Sequence, residues 1–236
     1  MKTGNSANRN GADIAVDVAV VGGGMAGLSL ALAVAGAGAR TALVEKARLA
    51  DLSAAAFDGR GSAIAAGSQR ILAGIGVWQR LADEAGPINE IRVADGASPL
   101  FLHYDHEEVG EGPLGWIVEN AVMRRAMADA VAETDIAVLD GTSVAARSVE
   151  DDHATLSLDD GRAVRARLVV AADGRESPLR DAAGIGAMRW RYPQTGIVCT
   201  VTHELPHDGI AHEHFLPAGP FAILPMTGNR SSIVWT

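Results

Sequence analysis

Cysteine is nearly missing, since Cys199 is the only one in 236 residues. That excludes an internal disulfide, a Cys-x-x-Cys redox pair and a four-cysteine zinc site, and it fits a reducing compartment. Lysine is almost as scarce, occurring only as Lys2 and Lys46, so no P-loop Gly-Lys-Ser/Thr can be written. Neither Tyr104 nor Tyr192 begins a Tyr-x-x-x-Lys pair, because Glu108 and Gly196 stand four residues on. No Lys/Arg run offsets the net charge of −9, which argues against nucleic acid and against polybasic attachment to anionic lipid. Aromatics make up only 4% of the chain against 27 glycines, which points to a backbone shaped by turns and close approaches.

What remains is an ordinary globular composition, 48% hydrophobic and 21% charged, enough for a sizeable core in one or two domains. Residues 1–13 are polar and are expected to form a disordered tail, with no apolar stretch of a signal peptide. Residues 18–39 carry no charge and are long enough to cross a bilayer. Gly22, Gly23, Gly24, Gly27, Gly36 and Gly38 punctuate them, however, and the pattern reads better as strand, tight turn and helix.

The apolar run 16–21 predicts a buried parallel strand. Leu28, Ala31, Leu32 and Ala35 recur at helical spacing, Gly36 and Gly38 close the helix, and 39–45 predicts a second strand. Such a βαβ unit crosses over right-handed. Further on, 62–76 reads as an alanine-rich helix continued through 77–85, 91–95 and 100–104 as strands, and 120–133 as a helix. Strands follow at 137–139 and 143–149, then a hairpin turning at Asp159-Asp160-Gly161, then a strand at 167–172. Ser177 and Pro178 signal a helix start running to about Ala183. Strands are expected at 197–202, 221–224 and 231–235; the last has no turn or polar tail after it, which suggests the N-terminal part of a longer protein.

Gly22-Gly23-Gly24-Met25-Ala26-Gly27 places G-x-G-x-x-G between the predicted strand and helix. The first glycine turns the chain, the second lets backbone approach a pyrophosphate, and the third lets helix pack on strand with its N-terminus facing phosphates. Glu45 ends the second strand, where a carboxylate can accept from both ribose hydroxyls. Strand, helix, span and terminal acid together predict an adenine dinucleotide, with FAD and NAD both open.

His203-Glu204-Leu205-Pro206-His207 fits H-E-x-x-H literally, but Pro206 inside that turn would cost a helix about 3 kcal/mol. A zinc site is therefore not expected, and residues 208–214 read as a solvated loop. His103, His106 and His153 read as surface residues.

Beyond the turn, the chain resembles the FAD-dependent aromatic hydroxylases, and among them the ubiquinone-biosynthesis hydroxylases of the 2-polyprenyl-6-methoxyphenol hydroxylase type. Asp17-Val-Ala-Val-Val-Gly-Gly-Gly begins the resemblance and Asp58-Gly-Arg-Gly-Ser-Ala-Ile continues it. By that resemblance Arg60 stands against the flavin's phosphate and ribitol region. Residues 68–72, 74–78 and Leu81 look like the family's helix and leucine-glycine-aromatic corner, with Ile75 in place of leucine. Asp173-Gly-Arg-Glu-Ser-Pro-Leu-Arg180 matches Asp-Gly-x-x-Ser-x-x-Arg, which implies a part in FAD and NAD(P)H handling for Asp173, Gly174 and Arg180. Asn120 stands near where relatives place an arginine or glutamine against the flavin diphosphate, and it also reads as a helix cap. Residues 215–226 and 232–236 look like the family's substrate-domain sheet. A further Gly-Asp-Ala-rich segment of the family is absent from these residues.

The expected fold is α/β, a glutathione-reductase-like parallel FAD-binding sheet interleaved with a mixed-sheet substrate domain. The expected FAD-binding residues are 14–90 and 119–187, and the expected substrate domain is 91–118 and 188–236. The candidate cofactor residues are Gly22, Gly24, Met25, Ala26, Gly27, Glu45, Arg60, Asn120, Asp173, Gly174 and Arg180. No catalytic acid or base is identified and no metal is expected. The resemblance implies a monooxygenase that uses NAD(P)H and O2 to place one oxygen on a phenolic, quinone-precursor ring. It also implies a cytoplasmic location, with peripheral association at the inner membrane or with a biosynthetic complex. The alternatives are another flavoprotein oxidoreductase or phenol hydroxylase, or an inactive truncated FAD-binding fragment.

Overall fold

The computed structural model describes residues 13–54, 56–110 and 112–236; most of the expected tail, 1–12, lies outside them. The chain begins with β1 (Ile14–Val21), α1 (Met25–Gly36), β2 (Thr41–Glu45), α2 (Leu49–Ser53), β3 (Gly61–Ala65) and α3 (Ala66–Gly74). Then come β4 (Gly86–Ile88), β5 (Glu90–Asp95), β6 (Phe101–Asp105), α4 (His106–Val109), β7 (Gly115–Glu119) and α5 (Asn120–Ala132). Next are β8 (Ala137–Asp140), β9 (Val144–Val149), β10 (Ala154–Leu158), β11 (Ala163–Ala171) and α6 (Pro178–Ala182). The last four strands are β12 (Ile197–Thr202), β13 (Ile210–Leu216), β14 (Gly219–Pro225) and β15 (Arg230–Trp235).

These elements form two compact units, each from two chain segments. The first comprises the described part of Met1–Ser53 together with Met127–Ala187. Its six-stranded sheet has the order β8-β2-β1-β11-β10-β9. The β8-β2-β1-β11 half is parallel, and β11, β10 and β9 form an antiparallel meander. Parallel strands are covered on both faces, which is why 18–21 and 42–44 read as continuous apolar runs. Val16, Ala19, Val21, Ala42, Val44, Leu139, Leu156 and Val164 form one core cluster. Each large aliphatic side chain buried in this way contributes about 1.5–3 kcal/mol.

The second unit is Ala54–Ala126 with Met188–Thr236. It holds a six-stranded sheet of order β12-β15-β14-β13-β5-β6 and a three-stranded sheet of order β3-β7-β4. Ile88, Ile117, Ala211 and Met226 make a core shared by both sheets. That core explains why compactness divides the chain differently from the expected 14–90 and 119–187. Gly86 of β4 lies against Met226, where an added Cβ would come within 2.6 Å of its Cα. In this compact grouping, residues 54–90 and 119–126 pack with the strands of 188–236.

Several predicted elements differ. The helix expected over 62–76 is β3 followed by α3, because Ser62 to Ala65 pair with β7. Cross-strand pairing here overrides the helical preference of an alanine-rich stretch. Gly76, at φ +74, ends α3, and 77–85 continues as two short 3₁₀ turns rather than as α-helix. The expected loop 208–214 contains most of β13, held between β14 and β5. β11 is one strand of nine residues, covering both the hairpin arm and the strand expected at 167–172. β4 and β7 carried no prediction. His106 is half-buried, with its Nδ1 enclosed, where a surface residue was expected.

Candidate dinucleotide site

The uncharged stretch 18–39 is strand, turn and helix, as its glycines implied, and no helix among the described residues is long and apolar enough to cross a membrane. Gly22 has φ +113, and a Cβ there would overlap the carbonyl of Ala172. A Cβ at Gly27 would overlap the carbonyl of Gly22 itself. Both positions are closed to any side chain. Gly24 is the opposite case. Its φ is −71, it caps α1 with no side-chain hydrogen bond, and a Cβ there would meet nothing within 4 Å.

The open space beside Gly24 therefore lies at the N-terminus of a twelve-residue helix with no acidic residue in its first turn. The first-turn N–H groups have no intrahelical acceptors, and the helix dipole adds positive potential there. This is the seat that an anionic diphosphate requires. Glu45, at the end of β2, shapes the turn from the other side. Its Oε2 accepts from the N–H of Gly23 and its Oε1 from the N–H of Ala47 at 2.9 Å. The carboxylate is thus fixed beside the turn while keeping lone pairs for a hydroxyl donor.

Parallel pairing brings a second motif to the same place. Val21 is paired with Ala171, so the turns after β1 and β11 lie side by side at the carboxyl ends of adjacent strands. A Cβ on Gly22 would stand 2.9 Å from the nitrogen of Asp173. The carboxyl ends of parallel strands are where α/β sheets bind ligands. Gly174, at φ +96, turns the chain there. Asp173 Oδ2 accepts from the N–H of Leu179 at 3.2 Å, while its Oδ1 is buried without a partner. Ser177 caps α6 as expected, its hydroxyl accepting from the N–H of Arg180 at 3.0 Å. The Arg180 guanidinium braces the same turn, donating to the Arg175 carbonyl at 2.9 Å and to Asp181 at 2.9 and 3.1 Å.

Arg60 and Asn120 belong to the second unit, where the structure joins them directly. The Asn120 N–H donates to the Arg60 carbonyl at 3.0 Å, and Asn120 Oδ1 accepts from Ser62 Oγ at 2.6 Å. Asn120 is the first residue of α5. The guanidinium of Arg60 is paired with Asp58, whose carboxyl this hydrogen bonding holds below the usual carboxylate range. Sequence reasoning missed Ser62, which it had assigned to a helix. It also missed the pair formed by Arg230 and Glu119 at 2.7 Å, which ties β15 to β7 and has no local sequence signal. The H-E-x-x-H residues lie after β12, outside any helix. His203 faces Ser231, and His207 faces the Met226 and Gly228 carbonyls.

Residues 15–236 match the family described as FAD binding domain. The chain belongs to that family. The FAD-binding match spans the glycine turn, Asp58 to Gly61 and Asp173 to Arg180 alike. Two relatives bear out the resemblance to ubiquinone-biosynthesis hydroxylases. Ubiquinone hydroxylase UbiL of Rhodospirillum rubrum is 50% identical over 226 residues, which cover 95% of this chain and 52% of that protein. The 3-demethoxyubiquinol 3-hydroxylase of Escherichia coli is 35% identical over 222 residues, covering 93% and 56%. A solved structure of Klebsiella pneumoniae HpxO, complexed with FAD and uric acid, has a TM-score of 0.74 at 21% identity, covering 92% of this chain and 55% of that one. The FAD-binding α/β fold is thereby that of known flavoproteins, and the chain spans about half the length of the relatives it matches.

Proposed function

We propose that this protein is an FAD-dependent monooxygenase that hydroxylates a phenolic, polyprenylated ring in ubiquinone biosynthesis, with NAD(P)H as electron donor and O2 as oxidant. The observation that supports it most is the 50% identity to a ubiquinone hydroxylase across 226 residues. The site's geometry fits the cofactor: an open, uncapped helix N-terminus at Gly24, a fixed carboxylate at Glu45 and a buried unpartnered oxygen on Asp173.

When bound, FAD supplies the redox chemistry, taking electrons from NAD(P)H and delivering them to O2. The chain's own residues bind and orient it. The N–H groups of Gly24, Met25, Ala26 and Gly27 would receive the diphosphate, and Glu45 would accept from the adenosine ribose. Asp173 and Gly174 share that strand end with the glycine turn, and Arg180 holds the Asp173 turn rigid. Arg60 and Asn120 are assigned to the flavin side of the cofactor on the resemblance. By role rather than by compact packing, the proposed division is a cofactor domain of 14–90 and 119–187 and a substrate domain of 91–118 and 188–236. The substrate class, an apolar quinone precursor, carries with it peripheral association with the inner membrane.

The test is turnover. Purified protein with FAD, NAD(P)H, O2 and a polyprenylated phenol should yield a product with one added oxygen, seen by mass spectrometry with labelled O2. NAD(P)H oxidation that produces only hydrogen peroxide would instead support a different flavoprotein oxidoreductase. Failure to take up FAD at all would remove the reading.

A further inference from the structure

β6 ends its sheet in the second unit, and among the described residues only one of its edges is paired, to β5. Glu90 at the start of β5 and Gly96 just after it donate their N–H groups toward β13, to the Gly209 carbonyl at 3.3 Å and the Phe215 carbonyl at 2.8 Å. Strand bonding alternates, so Ile91 and Val93 bond their partners Tyr104 and Leu102. Phe101, His103 and Asp105 then aim both backbone groups at the open edge. Natural proteins blunt such edges with lysine, proline or a bulge, and β6 has none of these.

The side chains of this edge are equally uncovered. Leu102 is 62% exposed, Phe101 54% and Tyr104 49%. Acid is confined to the far end of the strand, at Asp105, Glu107 and Glu108, whereas 97–99 before it are uncharged. The strand is therefore complementary to itself when reversed. In an antiparallel pair centred on His103, Phe101 of each copy meets Asp105 of the other, and every outward N–H and C=O of these three residues finds a partner. The same register sets Leu102 against the other copy's Tyr104, in the closer, non-hydrogen-bonded positions where side chains pack best. It also lays each acidic end against the uncharged 97–99 of the other copy, whereas a parallel pair would set acid against acid.

We infer that β6 is the contact between two copies of this chain, joined antiparallel about a two-fold axis at His103 so that one sheet runs through both. The inference is independent of the reaction the protein performs.

Sedimentation equilibrium of the whole chain tests it. Between about 1 and about 200 µM the mass should rise from that of one chain toward twice that value, since a contact this small gives a weak complex. His103→Pro removes an outward N–H without touching the pairing to β5, and Leu102→Lys puts a charge on the exposed seam. Each should raise the dissociation constant of the dimer at least about tenfold. The register has its own readout. In a Cys199→Ser background, His103→Cys should cross-link two copies on mild oxidation, and Leu100→Cys, displaced from the axis, should not. A monomer at every concentration would overturn the inference. So would self-association that neither β6 substitution weakens, or cross-linking of the unsubstituted chain through the exposed Cys199, which would move the contact to β12. Neither readout involves FAD or turnover.

Discussion

The glycine turn of the first unit and the Arg60–Asn120 corner of the second are built on different principles. In the turn, backbone makes the site: Gly22 and Gly27 are closed by neighbouring carbonyls, and Gly24 opens onto space at a helix N-terminus. In the corner, side chains from β3, β7, α5 and β15 meet through pairing across long sequence separations. A backbone site is written as spacing within a few residues, whereas a side-chain site is written as register. Substitutions should separate the two.

The largest effect is expected at the closed glycines. Gly22→Ala or Gly27→Ala should destabilise the first unit by at least about 3 kcal/mol, read as a lower urea midpoint, because a clash is forced and, at Gly22, a positive φ as well. A comparable loss should follow Met226→Ala in the second unit, about 2–5 kcal/mol, since that side chain is 2% exposed in the core joining its sheets. Gly24→Ala should leave stability unchanged and act on the ligand alone.

A smaller effect is expected from Glu119→Gln, which leaves Arg230 without its charged partner. The pair is partly solvent-exposed, so the loss should be about 1 kcal/mol in urea unfolding. If this substitution rivals Gly22→Ala, the contrast between the two regions fails.

The pH dependence is smaller again. In the second unit, burial and then the charge of Arg92 hold His212 below the ordinary histidine value of 6.5, against the opposing pull of Glu90. The unfolded chain therefore takes up this proton first, and stability falls as pH drops below about 6.5. His212→Gln should flatten that slope between pH 7.5 and pH 5.5. In the first unit, hydrogen bonds from the Arg40 side chain and then its backbone N–H bring Asp17 down to about 2. Its contribution is complete above the unfolded value of 3.8 and is lost as pH falls toward about 2. Asp17→Asn should thus matter least, flattening only the far acid limb of an exposed ion pair.

The same contrast explains what could be read in advance. G-x-G-x-x-G, the run ending in Glu45, and the Ser177-Pro178 helix start each encode local backbone, and each stands where its residues imply. β3 was hidden because Gly61-Ser-Ala-Ile-Ala lacks the β-branched alternation of a strand, and only β7 makes it one. β13 was hidden by its histidines and glutamate, polar residues tolerated because the strand is flanked on both edges by β5 and β14. The neighbourhood of Gly22 and Asp173 follows from the pairing of β1 with β11, which neither motif states by itself.

The most direct test of the backbone-built site is an FAD titration of Gly24→Ala beside the unsubstituted chain, followed by flavin fluorescence with thermal unfolding as a control. A cradle at Gly24 predicts an unchanged Tm and a dissociation constant raised at least about tenfold, equivalent to about 1.4 kcal/mol. An unchanged dissociation constant in the folded variant would contradict it.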